Sequence, residues 1–184
     1  MFTLHGLTTR SLTGRLVAGA ASLAALTLAG VLLAPAAAPA ATATQNLTIG
    51  ATVAARATLT LGATAINFPD ADPDAVPSIP ATENPVSVTA RVRTASTNTP
   101  TLTVLASGDL TSGTDTIPIS NVSWTAGGAP FINGTMSATT AQSAASFPAG
   151  SGQYSSSFSY FLVNSWSYNV GSYTASVTYT LTAP

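Results

Sequence analysis

The most constraining feature is a strict two-residue alternation over the last twelve residues, Tyr173–Pro184. Odd positions carry Tyr173, Ala175, Val177, Tyr179, Leu181 and Ala183; even positions carry Thr174, Ser176, Thr178, Thr180 and Thr182. Side chains in a strand point to opposite faces in turn, so this run has one apolar face and one hydroxyl face. A helix would scatter the same residues around its circumference. A strand of this kind must bury its apolar face against a second layer, and the chain upstream supplies material for one.

Asn46–Leu61 alternates in the same way, with Leu47, Ile49, Ala51, Val53, Ala55, Ala57, Leu59 and Leu61 on one parity. A strand from Leu47 to Leu61 would run about 50 Å, well beyond the usual length. Two readings fit. In the first, the strand bends near Ala54–Ala57 and passes from one sheet to a second. In the other, Leu47, Ile49 and Val53 belong to a free arm that completes a neighbour's sheet by strand addition.

Val86–Arg93 is a further alternating strand with Arg91 and Arg93 on its wet face, and Leu102, Val104 and Ala106 mark another. Ala65–Phe68 reads as a short strand end, and Pro69–Pro85, with five prolines, as a loop. Pro118 argues for an edge or a bulge. Asn133-Gly134 is a hairpin-turn pair, and Ala138–Gly152 is weakly patterned and reads as a loop. The run Phe158, Tyr160, Leu162, Asn164, Trp166, Tyr168 and Val170 is the most aromatic, and predicts a central strand or strand pair. The whole reads as all-β: an immunoglobulin-like β-sandwich of about eight or nine short strands with no helical periodicity.

The first forty residues differ in kind. Met1–Arg15 carries Arg10 and Arg15 and no acid, Leu16–Leu33 is apolar, and small residues follow. This is the plan of a secretory signal peptide, residues 1–40, with cleavage after Ala40 or Ala43. The processed chain, residues 41–184, is a single domain of 144 residues with no membrane span left.

That domain has three cations, Arg56, Arg91 and Arg93, against six acids, a net charge of −3. Three arginines make no basic stripe, so nucleic acid is not an expected partner. The polar surface is built from Ser, Thr, Asn and Gln, which suits a protein held in a wall or an assembly. The chain has no cysteine, and its one histidine, His5, lies in the leader. Residues 41–184 also lack lysine. A Ser-His-Asp triad, a cysteine nucleophile, a Schiff-base lysine and the usual zinc ligands are thereby excluded. Acid–base work would fall to the carboxylates and tyrosines. No catalytic residues and no cofactor are expected. Asp70, Asp72 and Asp74 have the opening spacing of a calcium loop, although Ala75 and Ala81 stand where that loop needs Gly and a bidentate Glu. A solvated acidic turn is the plainer reading. Trp124 and Trp166 are the candidates for a sugar-stacking platform, as in a carbohydrate-binding module; their alternative role is core packing.

Tyr173, Val177, Thr178, Tyr179, Leu181 and Pro184 together resemble the distal motif of WxL domains. Leu59-Thr60-Leu61 followed by Ile66-Asn67-Phe68 is similar in plan to the opening of that domain. The resemblance implies a non-catalytic domain held noncovalently on the cell wall through peptidoglycan. Asn46–Val53 followed by Ile66-Asn67-Phe68-Pro69-Asp70 looks like the start of pilin-like domains of the spore coat U type, which implies assembly by donated strands. The expected function is therefore that of a secreted, non-enzymatic structural protein of the cell surface, partnered by cell-wall polysaccharide or by like subunits. The alternatives are a pilus-like subunit and a carbohydrate-binding module.

Overall fold

The computed structural model describes residues 39–184. Nearly all of the expected leader lies outside the described residues. Residues 39–48 carry no regular structure and are exposed; the fold below is that of Ile49–Pro184.

Among the described residues there are eleven strands and one 3-10 turn. In chain order the strands are β1 (Arg56–Leu61), β2 (Ser78–Pro80), β3 (Val86–Arg93), β4 (Thr101–Ala106), β5 (Leu110–Ser112) and β6 (Asp115–Ile117). After the turn at Ile119–Asn121 come β7 (Val122–Ala126), β8 (Gly134–Thr135), β9 (Gln142–Ser146), β10 (Gly152–Val163) and β11 (Val177–Thr182). The larger sheet runs β1-β3-β10-β7-β8, with β2 beside the far half of β10. The smaller is β11-β4-β9, and β5-β6 is a separate hairpin. All pairings are antiparallel.

The all-β sandwich follows from the alternation. Val86, Val88, Ala90 and Val92 of β3 point inward, as do Phe158, Tyr160 and Leu162 of β10 and Leu102, Val104 and Ala106 of β4. The two layers meet at Phe158, whose ring stacks on Tyr179 of β11 at 6.0 Å and 21° and packs edge-on to Trp124 and Phe131. Aromatic contacts of this geometry add to the burial term. Side chains also stand in for missing backbone rungs. Asn84 accepts from the Tyr160 amide at 2.8 Å and donates to its carbonyl at 2.7 Å, bridging the gap on β10 between β3 and β2.

Several expectations are corrected. The first strand begins at Arg56 rather than Leu47; residues 49–55 enter no sheet, so no single strand spans both layers. Ile66 and Phe68 are half-buried, but Ala65–Phe68 forms no strand. Ala138–Gly152 contains β9, whose Ala144 and Ala145 are buried in the same core as Phe131 and Phe147. The aromatic strand ends at Val163, before Trp166 and Tyr168. Asn133-Gly134 is not a tight turn: Gly134 sits in β8 opposite Trp124, where a Cβ would come 2.3 Å from Cζ2 of that ring. Pro118 ends β6 and caps the 3-10 turn, in keeping with its lack of a donor. The turn between β5 and β6 holds Gly113 at φ 61°, a left-handed conformation that favours glycine.

Candidate functional site

Each residue singled out in the sequence has a definite place. Trp124 is 1 % exposed, and its Nε1 donates to the Ile132 carbonyl at 2.8 Å. Its ring is core and has no face to offer a sugar, which removes half of the expected platform. Trp166 is 71 % exposed and lies beyond the end of β10, where its Nε1 donates to Asp74 Oδ1 at 3.1 Å.

The aspartates do not converge. Asp72 Oδ1 accepts the Asp74 amide at 2.9 Å, an Asx turn, while the Asp74 carboxylate faces the Trp166 indole. Among the described residues no group of three acids, histidines or cysteines stands in metal-binding range. The loop is tied down by amides instead: Asn164 Nδ2 donates to the Ala71 and Val76 carbonyls at 3.0 and 3.1 Å. Glu83 works the same way from the other side. It accepts the Asn67 backbone N–H at 2.7 Å and its side-chain amide at 2.8 Å. Those bonds, the backbone one foremost, pull its carboxyl down to about 2.

The Tyr160 and Tyr179 hydroxyls lie 2.8 Å apart and join the two sheets inside the core. Burial pushes both phenols above their ordinary range, Tyr179 furthest. One hydroxyl comes from β10 and the other from β11, so the bond links the two layers. A depression of about 400 Å³ is open and lined by Met136, Ser137, Gln142 and Asp109. The Asp109 carboxylate there already accepts the Ile119 amide at 2.9 Å.

Comparison with known protein families, curated proteins and solved structures finds no match for this chain. What remains is the surface itself. Ile49 and Val53 are 87 % and 69 % exposed, and Leu47 is 85 % exposed. Among the described residues the outer edges of β1 and β11 carry no further strand. The side chains that these edge strands turn inward, Leu59, Leu61, Tyr179 and Leu181, are only half-buried.

The outer face formed by β1, β3 and the first half of β10 is polar and ordered in rows by the strand register. Arg56 stands opposite Arg93; Thr58, Arg91 and Gln153 form the next row; Thr60, Thr89 and Ser155 form the third. Sequence reasoning placed Arg91 and Arg93 on this face, but bringing Arg56 beside them needed the β1–β3 pairing.

Proposed function

We propose that the processed chain is a secreted, non-catalytic structural protein of the cell surface, held there by noncovalent contact with the wall. One observation carries this reading, the division of chemistry within the sandwich. Apolar and aromatic side chains fill the interior, while hydroxyls, amides and the arginines line an open outer face. Groups spread over a flat face suit adhesion to an extended polymer better than turnover in a cleft. The signal-peptide plan of residues 1–40 and the resemblance to WxL domains support the same location, and the two-layer antiparallel fold supports an immunoglobulin-like kinship. Fractionation tests it. The mature protein, starting at residue 41 or 44, is expected in the envelope fraction and to be released by chaotrope rather than detergent. Full-length protein confined to the cytoplasm refutes it.

A second reading has its own observation. The alternating arm with Leu47, Ile49 and Val53 exposed matches the unpaired edges in kind, and strand addition between copies would cover both. Deleting residues 44–53 is then expected to abolish concentration-dependent oligomers. Oligomers that persist after the deletion, or never form, exclude strand donation and leave the first reading in place.

A further inference from the structure

All three cations of residues 41–184 lie on one patch of one sheet face. Arg56 and Arg93 are direct cross-strand neighbours, and Arg91 is one row away on the same face. Like charges directly opposite each other destabilise a sheet. A chain that uses charge this sparingly has nonetheless stacked its cations. Arg93 Nε donates to the Ala54 carbonyl at 2.8 Å. The terminal Pro184 is held by the Thr94 hydroxyl.

The acids are elsewhere. The Asp70–Asp74 loop is pinned by Asn164, eleven residues along the chain from Gln153, the cross-strand neighbour of Arg91. At the strand rise that separation is about 35 Å. Screening at physiological salt acts over about 8 Å, so the acidic loop does not cancel the field at the arginines. A net charge of −3 thus conceals a local positive site.

The surroundings specify the ligand further. Beside Arg91, Thr58, Thr60 and Thr89 line a shallow hollow of about 180 Å³. The next position is Ser155, whose hydroxyl lies 3.1 Å from that of Thr89. These three rows contain no apolar side chain, whereas protein–protein interfaces have an apolar core. Guanidinium groups bind carboxylate and phosphate with forked geometry, and hydroxyl and amide rows complement sugar hydroxyls.

We propose that the outer face of β1, β3 and β10 is a binding site for an anionic surface polysaccharide, with Arg56, Arg91 and Arg93 on its carboxylates or phosphates. Thr58, Thr60, Thr89, Gln153 and Ser155 meet the sugar hydroxyls. This rests on the reading of a wall-held protein and names the face and the polymer chemistry that hold it. The test uses purified mature protein with polygalacturonate, poly(glycerol phosphate) and neutral dextran, at low and physiological salt. Binding to one or both polyanions, weakening as salt rises, is expected; the tighter of the two identifies the anionic group. Arg56→Gln with Arg91→Gln is expected to weaken binding about tenfold or more. The melting temperature stays level or rises, because the opposed pair is gone. Absence of polyanion binding, equal binding of dextran, or unchanged affinity in the double variant overturns the proposal. So does charge-dependent self-association that is lost equally in Asp72→Asn/Asp74→Asn, which makes a second copy the occupant. Envelope fractionation can succeed while this assay fails, so the two ideas fall separately.

Discussion

Replacing Tyr160 and Tyr179 by phenylalanine, singly and together, probes how the two sheets are held. Their hydroxyls are 2.8 Å apart, one on β10 and one on β11. Tyr160 is only 4 % exposed. Phenylalanine keeps the ring packing, including the stack of residue 179 on Phe158, and deletes one oxygen. Either single variant leaves the other hydroxyl buried without its partner, which costs about 1–3 kcal/mol. The double variant removes both polar groups from an apolar site, and that exchange is close to neutral. The expected result is therefore non-additive: both singles destabilise, and the double regains most of the loss. Urea unfolding with a shared slope measures it, and total stability of about 5–15 kcal/mol makes the effect readable. A double variant that loses the sum of the two singles refutes the reasoning. The same pair predicts behaviour in alkali. Both phenols hold their protons more tightly folded than unfolded, Tyr179 most, through burial. Their contribution is fully present below the ordinary phenol value of 10 and is lost as pH rises above it.

Two further variants test other parts of the packing. Gly134→Ala would set a Cβ 2.3 and 2.4 Å from Cζ2 and Cη2 of the buried Trp124 ring, whereas Gly128 has nothing within 4 Å. The first is expected to cost about 1–3 kcal/mol by overpacking and Gly128→Ala almost nothing, as read by melting temperature; equal effects would contradict the packing account. The Glu83 carboxyl is held at about 2 against an ordinary 4.5, so its clamp on Asn67 is complete above 4.5 and fades as pH falls toward 2. Glu83→Gln should flatten that acid-side slope in a series of melts, and an unchanged slope would show that the clamp adds nothing.

The legible parts of the fold are those where a local pattern and its partner agree. β3 was readable because Val86, Val88, Ala90 and Val92 alternate with polar residues and the burial follows that parity residue by residue. The C-terminal strand was readable for the same reason, although β11 begins at Val177 and, as an edge, buries its inner side chains only partly. The arm at Asn46–Ala55 shows the limit of this signal. Alternation says that one face wants cover; it does not say that the chain itself will supply it, and Leu47, Ile49 and Val53 are left exposed. Gly134 shows a second limit. Asn-Gly is a turn signal by local conformational preference, but this glycine is required by a ring ten residues earlier in the chain. β9 was hidden because its buried residues are two consecutive alanines at a register shift, which breaks the two-residue alternation.

The candidate site was half legible on the same grounds. One strand's pattern places Arg91 and Arg93 on a common wet face, since they lie two residues apart. Only the pairing of Arg56 with Arg93 turns two scattered cations and a third into a patch. That pairing is an argument about selection as well as geometry. The interior of this sandwich meets its polar needs without ions: Asn84 replaces backbone rungs, Asn164 ties the acidic loop, and two tyrosines bond across the layers. Among the described residues no buried side-chain nitrogen or oxygen is left without a partner. Among the described residues no charged side chain is buried, and three arginines gathered on one face are a cost to the sheet that this interior does not require. Local rules broken without structural compensation mark functional sites. On the proposal made above, contact with an anionic polymer is what this placement serves.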